Sequence, residues 1–363
     1  MNEPLLTRAE CAALRGLAII GIFLHNYCHW LRGTVRENEY KFYADRAAGM
    51  WQALTSPDDL FLANMLSFFG HYGVPVFLFL SGFGHVLKYE PLDTPRYSTF
   101  GFMRFHYLKL LRMMVPGFVF FIIIDIMTPR SFHFYCDKII EQGLMVINLF
   151  PEPNTWIWPG PYWFFGLMIE LYLIYRLFIY RRSSWIVAAL IAICFLAQVF
   201  CDPTGDTLNY LRYNAVGGIL PSGCGILAAR HLCGGSITSI TRWQWALLTL
   251  VSSALVVVMS LYELSWYFAP VAVILATVCL VKSLPRWLLD WSVWLGGISA
   301  AMFVTHPAMR KIFIPVSHRG DVYDGLMLYV IAAIGVAWGV GLLILQIKNP
   351  KLKSLREIKE LKN

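Results

Sequence analysis

The chain has 363 residues, of which 58% are hydrophobic, 15% aromatic and only 14% charged, with a mean hydropathy of +0.57. Soluble domains carry about 25% charged residues, so the composition excludes a water-soluble globular protein and points to a bilayer as solvent. The net charge of +8 sits between apolar stretches, which reads as positive-inside anchoring and contact with anionic lipid heads, and not as nucleic-acid binding.

Apolar windows of about 20 residues cross a bilayer, and they do so as helices because the backbone must satisfy itself in lipid. Ten windows follow in order: 14–31, 61–87, 108–127, 163–180, 184–201, 213–230, 243–261, 264–283, 291–312 and 325–347. Period-two alternation, the mark of a barrel, is absent. The stretch 138–150 is apolar but short and is expected at the interface or re-entrant. The first window is read as a retained span and not as a cleaved leader. With the N-terminus inside, 20 of the 30 Lys and Arg fall on the inner side. This predicts an all-α polytopic bundle of about ten spans, N-in and C-in. A transmembrane domain covers 1–347, and a basic cytoplasmic tail covers 348–363. Two outer loops are long, 32–60 and 128–162. A third, 310–319, places Arg310, Lys311 and Arg319 outside, against the charge rule. Of the eight cysteines, six (Cys233 among them) lie in or beside apolar segments and act as small apolar residues. Cys136 and Cys201 fall near outer ends, where a disulfide is open to them.

Ionisable groups within spans are costly and are functional candidates by default. In the first span Arg15 stands at the inner mouth, and His25 lies ten residues on, about 15 Å along the axis. An arginine there suits phosphate, and a histidine at depth suits proton transfer from a hydroxyl. The second span carries His71 near its outer end and Ser81-Gly82 towards the inside, where glycine permits close approach of a ligand. Arg104, Lys109 and Arg112 then form a basic cluster at the inner face, suited to the phosphates of CoA. The outer loop 128–162 ends in an aromatic run from Trp156 to Trp163, which fits both an interfacial belt and a sugar-stacking surface. Glu170 lies in the fourth span and His306 in the ninth.

Together these pieces resemble acyltransferase family 3, the membrane O-acyltransferases acting on glycans. The matching elements are Arg15…His25, the run Gly73-Val-Pro-Val-Phe-Leu-Phe-Leu-Ser81-Gly-Phe83, Arg104…Arg112…Pro116, Tyr162-Trp-Phe-Phe165, and Leu295-Gly-Gly-Ile-Ser299…Thr305-His306-Pro307. They span about residues 10–312 in the family's order. The Arg–His interval is one residue shorter than is usual, and Met302 or Phe303 stands where a tyrosine is common. The resemblance implies a multi-pass enzyme of the cytoplasmic (inner) membrane. It would move an acyl group, commonly acetyl, from cytoplasmic acyl-CoA to a hydroxyl of an extracytoplasmic glycan or glycolipid, without a metal. Arg15 and His25 carry over as the essential pair, and either Arg104 or Arg112 as the donor arginine. On this reading Arg15, Ser81, Gly82, Arg104, Lys109 and Arg112 hold the acyl-CoA. His25 is general base or acyl carrier, oriented by Glu170. His29, His71, Trp163 and His306 line the acceptor route.

Two rivals stand beside it. Intramembrane His and Glu also build proton relays, which would suit a transporter or flippase for a glycan or glycolipid. His25 and His29, four apart on one face, suggest a metal, but no third ligand stands at motif spacing.

Overall fold

Thr7 starts the first helix with a reciprocal cap. Its hydroxyl accepts from the Glu10 N–H at 3.2 Å, and the Glu10 carboxylate accepts from the Thr7 N–H at 2.8 Å. From this cap α1 runs over Arg8–Cys28. The computed structural model describes residues 4–129, 136–151, 156, 158–232, 240–355 and 357. Cys233 and Ile157 lie outside them. The other helices of eight or more residues among the described residues are α2 (Ala44–Thr55), α3 (Phe61–Phe69), α4 (Gly73–Tyr89), α5 (Thr99–Met127), α6 (Cys136–Leu144) and α7 (Trp163–Ile174). Then follow α8 (Ser184–Val199), α9 (Asp206–Tyr213), α10 (Ala215–His231), α11 (Arg242–Leu261), α12 (Ala269–Ser283), α13 (Arg286–Arg319) and α14 (Val322–Gln346). No strand occurs among the described residues, so the protein is all-α.

Each of the ten apolar windows falls on a helix. Among the described residues, seven segments are long and apolar enough to cross a membrane: α1, α3–α4 joined through the turn Gly70–Tyr72, α5, Gly160–Ile179 around α7, α11, α13 and α14. Helices α8 and α12 are apolar but shorter, and α10 has 17 residues. Outward faces are greasy: Val119, Ile123 and Ile126 of α5, Leu250 and Val258 of α11, and Ile331 and Leu343 of α14 are all exposed. In water such faces would be a liability; in lipid they are the expected surface.

One expected loop is helix. Residues 310–319 continue α13 to Arg319, through Pro307 and Pro315. The charges that suggested a loop have tertiary partners: Lys311 pairs with Asp125 of α5, and Arg310 lies against Asn26 and Trp30. Neighbouring helices make internal prolines tolerable in such a bundle. Cys136 and Cys201 are both free thiols. Beyond α14, Lys348–Ser354 run without regular structure, and the Leu355 N–H donates to the Arg96 carbonyl at 2.9 Å.

Small residues let the central helices meet backbone to backbone. A Cβ on Gly16 would lie 2.1 Å from the Ser292 carbonyl oxygen, and one on Gly296 would lie 2.0 Å from that of Ala12. Helix α1 is therefore locked against α13 by glycines on both. That contact fixes which face of α1 turns inward, and His25 is on it.

Candidate active site

His25 is built by three segments. Helix α1 carries it, buried, at its last turn. Ser67 of α3 faces its ring, 2.7 Å from Nδ1 to the Ser67 carbonyl oxygen. A carbonyl only accepts, so Nδ1 carries the proton and the Nε2 lone pair is left towards the interior. The third segment is the loop after α1, which returns as a strap. Its path is set by its own backbone. Val35 N–H donates to the Asn64 side chain at 2.9 Å, and Val35 O accepts from the Ser67 hydroxyl at 2.6 Å. The carbonyls of Glu37, Asn38 and Glu39 accept from Arg46 at 2.7 Å, Trp266 at 2.6 Å and Arg212 at 2.9 Å. Pinned this way, the strap sends two carboxylates down to the histidines.

Glu39 Oε2 lies 4.0 Å from His25 Nε2, just beyond a direct hydrogen bond. Glu37 Oε1 is 3.3 Å from His29 Nδ1. The two acids differ. Burial works to raise Glu37, but His25 and the hydrogen bond from His29 outweigh it and hold its carboxyl below the ordinary range. Burial, and then the charge of Glu37, push Glu39 up to about 8. Neighbouring carboxyls driven apart in this way divide the roles of charge and proton.

These groups border a cavity of about 350 Å³, within the range of small-molecule sites. Its other walls include Trp30, Tyr40, Trp158, Trp163, Phe303 and Arg310. Tyr40 stacks on Tyr213, with centroids 3.9 Å apart, and meets Trp163 edge-on at 5.7 Å. A second, smaller hollow of about 50 Å³ shares Glu39, Tyr40, His71, Val74 and Trp163 with it and is lined further by Pro75 and Leu78 of α4, Leu167 of α7, and Gly218 and Pro221 of α10.

His25, His29 and Glu37 converge as one ligand set, their ligating atoms within 4.8 Å of one another. Glu37 thus supplies a third candidate ligand that the sequence did not suggest. Ligands of a tetrahedral zinc stand about 3.3 Å apart, given bonds of about 2.0 Å, so these side chains must turn inward before they can hold one.

A bundle of apolar helices enclosing a histidine-centred cavity fits many membrane proteins, and a match to a family decides among them. The acyltransferase 3 family model, described as an acyltransferase domain, matches residues 11–345. The chain belongs to acyltransferase family 3. No curated protein and no solved structure matches it. It is a membrane acyltransferase.

Among the residues expected from the family pattern, His25, His29, His71 and Trp163 all border the cavity. The His71 ring lies 5.6 Å from that of His25. His306 is buried behind it, with Nδ1 3.0 Å from the Met302 carbonyl oxygen, and Arg310, one turn on, takes the place in the wall. Arg15, Arg104 and Lys109 are exposed, in the first halves of α1 and α5. Three of the expected residues are engaged in other contacts. Glu170 does not pair with His25. Its carboxylate accepts from the Asn148 side chain and, at 2.7 Å, from the Ala215 N–H at the start of α10. Gly82 is not open to a ligand: a Cβ there would lie 2.1 Å from the Ser222 carbonyl oxygen of α10. Arg112 is spent on the end of α14, donating to the Ile344 carbonyl at 2.5 Å and to Asn349. Ser81 is half-buried and gives its carbonyl to His85 Nδ1 at 2.6 Å.

Sequence reasoning missed Glu37, Glu39, Tyr40, Tyr213 and Arg310. The strap residues carry one signal, two acids flanked by aromatic and basic residues close after a span. Arg310 carries another, standing four residues after His306 and so on the same helical face.

Proposed function

We propose that the protein transfers an acyl group, acetyl in the first instance, from cytoplasmic acyl-CoA to a hydroxyl of an extracytoplasmic glycan or glycolipid in the inner membrane. The observation that carries this reading is the His25 ring, whose Nδ1 is held by the Ser67 carbonyl and whose Nε2 is turned towards Glu39 in an aromatic-walled cavity. The exposed Arg15, Arg104 and Lys109 meet the CoA phosphates. The acylated arm would lie along the small hollow between α4, α7 and α10, which shares walls with the His25 cavity. Sugar rings stack on the tryptophan and tyrosine walls.

The chemistry is a single displacement. His25 Nε2 takes the proton of the acceptor hydroxyl as its oxygen attacks the thioester carbonyl. The tetrahedral adduct collapses, the acyl–sulfur bond breaks and the acyl–oxygen bond remains. The proton on His25 goes to the departing CoA thiolate. Once ionised, Glu39 steadies the imidazolium between the two transfers.

The test is acyl transfer from radiolabelled acetyl-CoA by purified protein in lipid nanodiscs. His25→Ala, with thermal stability retained, loses transfer. Full transfer by that variant sinks the reading, and transport of a glycan without any thioester cleavage would favour a flippase.

A further inference from the structure

Among the described residues, none supplies a counter-ion to the buried charge of Arg310. It lies on α13, borders the same cavity as His25 and is 8% exposed. Its Nη1 reaches only Asn26, 3.3 Å from the carbonyl oxygen and 3.5 Å from the side-chain oxygen. The guanidinium stands 5.0 Å from the centre of the Trp30 ring. Lys311, next along the helix, turns away to Asp125. The cavity acids are placed elsewhere: Glu37 meets His29, and Glu39 faces His25. Among the described residues, no carboxylate lies within ion-pair distance of Arg310.

A desolvated guanidinium without an anion is costly, and its fork of donors matches a carboxylate or phosphate. The donor's phosphates do not reach it. Arg15, where they are placed above, is about 15 Å down the axis from His25, and Arg310 is on the His25 side. A neutral sugar would leave the charge unmatched.

We infer that Arg310 recognises an anionic group on the acceptor, so that the acceptor is an acidic sugar or a sugar phosphate. This rests on the acyl-transfer reading for the identity of the cavity as an acceptor site. Trp30 beside the guanidinium gives the sugar ring a face to lie on while the anion takes the fork.

The experiment reads binding without donor, by calorimetry on the full chain in nanodiscs, so it does not depend on turnover. The probes are methyl glucoside, methyl glucuronide and glucose 6-phosphate. The last two distinguish a carboxylate from a phosphate. Wild-type protein is expected to bind one anionic probe at least about tenfold more tightly than methyl glucoside, the scale of a charge-assisted pair. Arg310→Gln loses the preference and Arg310→Lys keeps part of it. The inference is overturned if wild-type protein binds all three alike or none of them, or if the preference survives in Arg310→Gln. Acetyl-CoA cleavage, measured separately on the same preparations, reports on the acyl-transfer reading itself. A protein that binds the anionic probe but never cleaves the thioester refutes that reading alone.

Discussion

Ser67 holds His25 with one group and the strap with another: its carbonyl oxygen is 2.7 Å from His25 Nδ1, and its hydroxyl donates to Val35 O at 2.6 Å. The base and the loop that carries Glu37 and Glu39 are therefore referenced to one residue. The tautomer of His25 and the approach of Glu39 are set together, which gives the pair a definite pH behaviour.

Burial and the charge of Glu37 push Glu39 up to about 8, so at neutral pH it holds its proton. Raising the pH through about 8 turns it into a carboxylate 4.0 Å from His25 Nε2. A carboxylate there favours the imidazolium formed when His25 takes a proton. Acyl transfer by wild-type protein should therefore climb through about pH 8, and Glu39→Gln should lack that rise. The variant's kcat above the transition is expected to be down about tenfold or more. An unchanged pH profile in Glu39→Gln would remove Glu39 from the mechanism.

The apolar windows made the fold legible because lipid forces a helix on any long hydrophobic run, and all ten lie on helices. His25, His29, His71 and Trp163 were legible as candidates, and they share one cavity, because ionisable or amphipathic groups within or beside apolar runs stand out from their surroundings. The strap acids did not, because a loop with both charge signs looks like any solvated loop until Arg46, Arg212 and Trp266 are seen to hold its carbonyls. Arg310 was hidden for the opposite reason: basic residues beyond an apolar run mimic a loop, whereas here the helix continues. The helix contacts of Glu170 and Gly82 were not legible, because an acid and a glycine serve helix ends and helix contacts as readily as ligands.

Gly82 separates these two uses. Its missing Cβ is what lets α4 touch α10, and Gly225 makes the reciprocal contact, where a Cβ would lie 2.0 Å from the Phe79 carbonyl oxygen. Gly82→Ala should force the helices apart and cost about 1–3 kcal/mol, seen as a lowered melting temperature in detergent. At Gly84 an added Cβ meets nothing within 4 Å, so Gly84→Ala should leave stability unchanged. A stable Gly82→Ala protein with a raised KM for acyl-CoA would return Gly82 to the donor site.

Arg104 and Arg112 divide in the same manner. Arg112 binds the Ile344 carbonyl and Asn349, so Arg112→Ala should loosen the end of α14 and lower the melting temperature. Arg104 is exposed, and Arg104→Ala should leave stability alone while raising the KM for acyl-CoA about tenfold, the scale of one lost contact to phosphate. That increase should shrink with added salt, as exposed charge interactions do. The reverse pattern, with Arg112→Ala stable and poor in donor binding, would make Arg112 the donor arginine.

Glu170 is expected to act on folding and not on the reaction. Asn148 and Asn214 bind each other, side chain to side chain at 2.7 Å and Asn214 Nδ2 to the Asn148 carbonyl at 3.0 Å. The Glu170 carboxylate joins them to the first N–H of α10. A negative group at a helix N-terminus both satisfies a free donor and opposes the positive end of the dipole. Glu170→Gln keeps one acceptor oxygen but turns an amide N–H₂ towards a donor, so about 1–2 kcal/mol of stability should go. Activity per folded molecule should stay near wild type, because His25 takes its support from Ser67 and the strap. A Glu170→Gln protein with normal melting and a collapsed kcat would mean that the carboxylate reaches the reaction by a route other than the start of α10.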